Sequence, residues 1–136
     1  MKDRVCKVLQ EYDFIHTAIL FGSFSNKTNN PLSDVDIAMG LTREITLLEF
    51  GQLVSVLEQE VQRRVDLVVL NNLYDRDTRL AYSIYQNHEE VFLNDKEFFD
   101  DFKFYTLKYF MDRKYLYDIF DKELAKRVKD GTFGKI

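Results

Sequence analysis

The chain has 136 residues, 46% of them apolar and 31% charged, with a net charge of −4. That is enough for one domain with a sizeable core, and an acidic balance without a basic stripe argues against direct nucleic-acid binding. No apolar run approaches the ~20 residues of a membrane span, and the one cysteine, Cys6, has no internal partner, which fits a reducing cytoplasm.

Met1-Lys2-Asp3-Arg4 leads into a helical pattern rather than an apolar signal core. Val5, Val8, Leu9 and Tyr12 recur at helical spacing and predict a helix over 2–12, with Cys6 a packing residue. Residues 15–21 read as a strand whose near-continuous apolar end implies burial on both faces. His16, at its start, is expected to be structural rather than a ligand.

A polar connection follows over 22–33. It opens on Gly22-Ser23, with one short helical turn, and Asn29-Asn30-Pro31 signals a turn. Residues 34–39 return as a strand. Residues 45–61 form an amphipathic helix capped by Thr42 or Thr46, its stripe being Leu47, Phe50, Val54, Leu57 and Val61. Residues 64–70 are a third strand, rich in β-branched residues and interrupted by Asp66.

After a break at Asn71-Asn72, residues 75–87 are expected to be helical. Leu80, Ala81 and Ile84 point inward, and Arg76 and Arg79 are solvated. Residues 90–93 suit a short edge strand. Asn94 or Asp95 then caps a long helix over 95–128, ended by Asp130-Gly131. The order α-β-β-α-β-α-β-α implies an α/β (α+β) domain, one sheet with packed helices. The core spans about 15–93 of a single 1–136 domain.

The last helix carries fourteen large apolar or aromatic residues between Phe98 and Phe120. They wrap most of its circumference, more than one face can bury. Part of this surface is expected to be a partner or oligomer interface, where Tyr and Phe are enriched.

Asp34 and Asp36 stand one residue apart on a strand, so their side chains share a face and Val35 and Ile37 take the other. Two such carboxylates repel unless a cation lies between them, and oxygen-only ligands favour Mg²⁺. Asp66 either joins them from a neighbouring strand or pairs with Arg64. If it joins them, three carboxylates hold two Mg²⁺ ions, and Asp66 is ligand and proton acceptor.

Leu20-Phe21-Gly22-Ser23, ten residues of connection, Ser33-Asp34-Val35-Asp36 and a distal Asp66 resemble the nucleotidyltransferase superfamily of DNA polymerase β. The likeness is closest to its smallest members, the minimal nucleotidyltransferases (MNT), and covers residues 15–70. It implies a small mixed sheet of that fold and Mg²⁺-dependent transfer of a nucleotide from ATP.

Gly22 and Ser23 would hold the triphosphate at a helix start, and Asp34, Asp36 and Asp66 would bind metal and catalyse. Many relatives carry a basic residue and then a glycine after the Ser; Asn26 and Lys27 stand there instead, with Lys27 supplying the charge. The resemblance further implies an antitoxin that AMPylates a tyrosine of a HEPN RNase toxin. The alternatives are an antitoxin acting by occlusion alone, and nucleotidyl transfer to a small molecule.

Overall fold

The computed structural model describes residues 1–23 and 33–129; for 115–117, 119–120 and 123–129 it gives the helix path alone. Asn26, Lys27, the Asn29-Asn30-Pro31 turn and Asp130-Gly131 lie outside the described residues, as do the side chains of Tyr115, Leu116, Tyr117, Ile119 and Phe120.

In chain order the elements are α1 (Lys2–Leu9), β1 (Ile15–Phe21), β2 (Val35–Leu41), α2 (Leu47–Val61), β3 (Val65–Val69), α3 (Leu73–Arg76), α4 (Thr78–Gln86), β4 (His88–Leu93) and α5 (Lys96–Lys129). The strands form one mixed sheet in the order β3-β2-β1-β4. β1 runs antiparallel to β2 and to β4, while β2 and β3 are parallel, joined by α2 as a crossover.

β1 and β2 occupy the centre, which is why both are apolar along nearly their whole length and buried at all but one position. Val5, Leu9, Ile37, Leu53 and Leu57 fill the layer between α1, α2 and one sheet face. Ile19, Ala38, Leu70, Ile84, Phe99 and Phe102 fill the layer between the other face and α3, α4 and α5.

The termini of α2 and α5 follow local chemistry. Thr46 Oγ1 accepts from the Glu49 amide at 3.1 Å, and the Glu49 carboxylate accepts from the Thr46 amide at 3.0 Å. This reciprocal cap satisfies two otherwise orphaned amides and sets the start of α2. Arg43 pairs with Glu49 at 2.9 Å and lies 4.3 Å over the Phe14 ring, fixing the β2–α2 turn. At α5, Asp95 Oδ1 caps the Phe98 amide at 3.0 Å.

Three expectations change. On α2 the predicted stripe holds at Phe50, Val54, Leu57 and Val61, which are buried in or packed against the core; Leu53 joins it, and Leu47, the first residue of the helix, is instead 87% exposed. One helix over 75–87 becomes two, because the Asp77 side chain accepts from the Leu80 amide and restarts the helix. Arg76 is bound to the carbonyls of Val69 (2.8 Å) and Asn71 (3.0 Å), closing the end of β3.

On α5, Phe99 and Phe102 are buried in the core, while Phe104, Tyr105, Leu107 and Met111 are exposed. Among the described residues, then, the helix divides into a core face and an open apolar face. No helix among them is long and apolar enough to cross a membrane.

Candidate active site

The parallel pairing of β2 and β3 places Asp36 directly opposite Asp66. Neighbouring strands lie about 4.8 Å apart, and side chains opposite one another leave the sheet on the same face. Val35, Ile37, Val65 and Leu67 alternate to the other face, where all four are buried. The alternation of each strand thus drives its apolar residues into the α1–α2 layer and delivers both carboxylates to one spot on the opposite face.

The row continues across the sheet. Phe21 is opposite Asp36 on one side and His88 on the other, giving Asp66, Asp36, Phe21 and His88 in line over four strands. His88 held no signal in the sequence, because only register reveals its place. Its Nδ1 donates to the Ile84 carbonyl at 2.8 Å, and its ring meets Phe99 edge-on.

Gly22 follows Phe21 at the end of this row, with φ +68°, a conformation that L side chains rarely adopt. A Cβ at Gly22 would overlap Asp36 Oδ2. The turn therefore lies flush against the carboxylate, and Ser23 follows it directly. Lys27, predicted to join Gly22 and Ser23, lies outside the described residues.

The electrostatics are one-sided. Burial pushes the Asp36 carboxyl up to about 6, aided by the charge of Asp66, a side-chain hydrogen bond to Asp66, and the charge of Asp34. Two carboxyl groups hydrogen-bond only when one carries a proton. The Asp36 carboxyl therefore keeps its proton into mildly acid pH, and its ionisation is opposed by the negative charge of Asp66. Every charge acting on Asp36 in this way is negative.

Asp34 precedes the first residue of β2 and acts on Asp36 through its charge. Among the described residues, no three carboxylate, imidazole or thiol groups converge as a ready-made metal cage. The arrangement is an in-register pair of carboxylates, with the charge of a third, Asp34, acting on Asp36. Asp66 turns to Asp36, and no ion pair with Arg64 forms among the described residues. His16 instead hydrogen-bonds its neighbour Thr17 at 2.8 Å and packs on Phe98.

A cavity of about 220 Å³ lies at the other end of β3, lined by Leu70, Asn71, Tyr74, Phe98, Asp101 and Tyr105 among others. It is four residues along the strand from Asp66, so it does not contain the carboxylates.

A family model described as "Polymerase beta, Nucleotidyltransferase" matches residues 3–97. No curated protein sequence matches the chain. Several solved structures share its fold. A chain of a toxin–antitoxin complex with AMP-PNP is 21% identical, with TM-score 0.65, over 95% of this chain and 96% of that one. A chain of the complex of tri-AMPylated Shewanella oneidensis HEPN toxin with MNT antitoxin is 19% identical, with TM-score 0.63, over 95% and 93%. The spectinomycin adenyltransferase of Enterococcus faecialis, crystallised with ATP and spectinomycin, is 16% identical, with TM-score 0.51, over 82% and 63%.

Proposed function

The chain belongs to the polymerase beta nucleotidyltransferase family, and from that premise we propose that it is an MNT antitoxin that transfers AMP from ATP to a tyrosine of a HEPN toxin. The observation that carries the reading is the in-register pair Asp36–Asp66, flush against the Gly22-Ser23 turn. The fold shared with chains of toxin–antitoxin complexes supports the choice of acceptor.

In this reading Gly22 and Ser23 receive the triphosphate. The turn's missing side chain lets phosphate oxygens approach the backbone beside Asp36. Asp34, Asp36 and Asp66 are oxygen donors set in unopposed negative charge, a donor set that fits Mg²⁺. When bound, the metal neutralises charge on the triphosphate and on the departing pyrophosphate.

The tyrosine oxygen bonds to the α-phosphorus, and the bond from that phosphorus to the bridging oxygen of pyrophosphate breaks. Asp66, the more exposed of the paired carboxylates, takes the phenolic proton. The open face of α5, with Phe104, Tyr105, Leu107 and Met111 exposed, docks the toxin.

That open face also favours a second reading, in which docking alone neutralises the toxin. One experiment separates the two. The HEPN protein is incubated with this chain, ATP and Mg²⁺, and its intact mass is measured. Addition of AMP units by the wild type and none by Asp36→Ala supports transfer. No addition by either, with protection retained by both, supports occlusion.

A further inference from the structure

We infer that the outer face of α2 joins two copies of this chain in an antiparallel pair. The observation begins at the N-terminal end of α2. With Leu53, Leu57 and Val61 turned to the sheet, Leu47 and Leu48 stand 87% and 72% exposed, and Val56 is 40% exposed. Adjacent leucines this open are uncommon on a helix whose inner face is well buried.

The outer line of the helix runs Leu48, Gly51, Gln52, Ser55 and Gln59, all exposed and none charged. The chain as a whole is 31% charged and carries −4. An uncharged strip on an acidic molecule is the surface on which two copies meet without repulsion, and it offers nothing to a strongly basic or acidic partner.

The strip is also complementary to itself. A two-fold axis between Gly51 and Gln52 sets Leu48 of each copy against Ser55 of the other, large against small. The centre of the crossing falls at Gly51, where a Cβ would meet nothing within 4 Å in the single chain. Glycine is a poor helix former, and nothing among the described residues requires one at that position. A second helix backbone approaching there does.

α2 covers the sheet face opposite Asp36 and Asp66, so pairing leaves both candidate sites facing outward. One helix against its copy buries less than the ~1,200 Å² of standard interfaces, so the pair is micromolar or weaker.

The test is sedimentation velocity of the full chain from about 5 to 500 µM, bracketing that affinity range. The mass is expected to rise from 16.2 kDa toward twice that value. Leu47→Glu with Leu48→Glu stays monomeric with an unchanged circular dichroism spectrum. Gly51→Ala moves two readouts in opposite directions: its Tm rises, while association weakens about tenfold as the backbones are held apart. A wild type that stays monomeric throughout overturns the inference, as does a dimer indifferent to both variants. Loss of binding to a HEPN protein in the glutamate variant, with no wild-type self-association, would assign the face to that partner instead and equally overturn it. None of these outcomes depends on nucleotide transfer.

Discussion

Gly22 and Asp36 are fitted to each other: the glycine sits at φ +68° with the Asp36 carboxylate occupying the space its side chain would need. Gly22→Ala meets both penalties at once, a left-handed backbone and an overlap with Oδ2. The variant is expected to lose about 1–3 kcal/mol of stability, read from a urea unfolding midpoint. It is also expected to lose ATP-dependent thermal stabilisation, because Asp36 must move to admit the methyl group.

Asp36 makes stability depend on pH in a definite direction. Its folded value of about 6 lies above the ordinary 3.8, so the proton favours the folded state. That contribution is fully present below 3.8 and is lost as pH rises through about 6. In metal-free protein at pH 7.5, Asp36→Asn is therefore expected to be the more stable form, by about 1 kcal/mol after allowing for solvent screening of a half-exposed group. At pH 4 the advantage should vanish. Melting curves of both proteins in chelator across pH 4–8 check it, and equal slopes would contradict the raised Asp36 value.

The start of α2 gives a second pH signature of opposite sign. Glu49 is held down to about 2, first by its hydrogen bond to Arg43 and then by the Thr46 cap. Its contribution is present above the ordinary 4.5 and is lost as pH falls through about 2. Thr46→Ala removes one half of the reciprocal cap and is expected to cost about 1 kcal/mol. Denaturant unfolding at pH 7 measures it.

The strands were the most legible part of the sequence. The near-continuous apolar runs around Ile19 and Ile37 are buried at all but one position of each strand, so local pattern and tertiary outcome agree. Gly22, Asp34, Asp36 and Asp66 were legible as candidates by residue type and spacing. Their mutual placement was not, because the Asp36–Asp66 pairing and the place of His88 follow from strand register. The exposure of Leu47 escaped too: it continues the stripe of Phe50, Val54, Leu57 and Val61, and only tertiary packing leaves the first turn of α2 uncovered. The break at Asp77 was hidden for a similar reason. Arg113, 35 residues along, reaches back from α5 to Thr78 and to Asp75 (2.8 Å), fixing the two short helices separately.

The two faces of α5 should respond differently to substitution. Phe99→Ala empties a fully buried site that contacts Phe102 and His88 and is expected to cost about 3–5 kcal/mol. Phe104→Ser with Met111→Ser alters only exposed side chains and should leave stability within about 0.5 kcal/mol. If this face docks a HEPN protein, the double substitution weakens that complex by tenfold or more in calorimetry. Unchanged affinity would place the docking surface elsewhere.

AMP transfer at the Asp36–Asp66 pair is the proposal that a single experiment decides. It is tested most directly by label transfer to a HEPN protein from ATP labelled at either the α- or the γ-phosphate, with Mg²⁺ present. Protein-bound label is expected from the α-position only, with released pyrophosphate in equal amount, and the rate is expected to fall at least a thousandfold in Asp36→Asn and Asp66→Asn, about 4 kcal/mol of barrier. Label from the γ-position, or undiminished transfer by both variants, would contradict it.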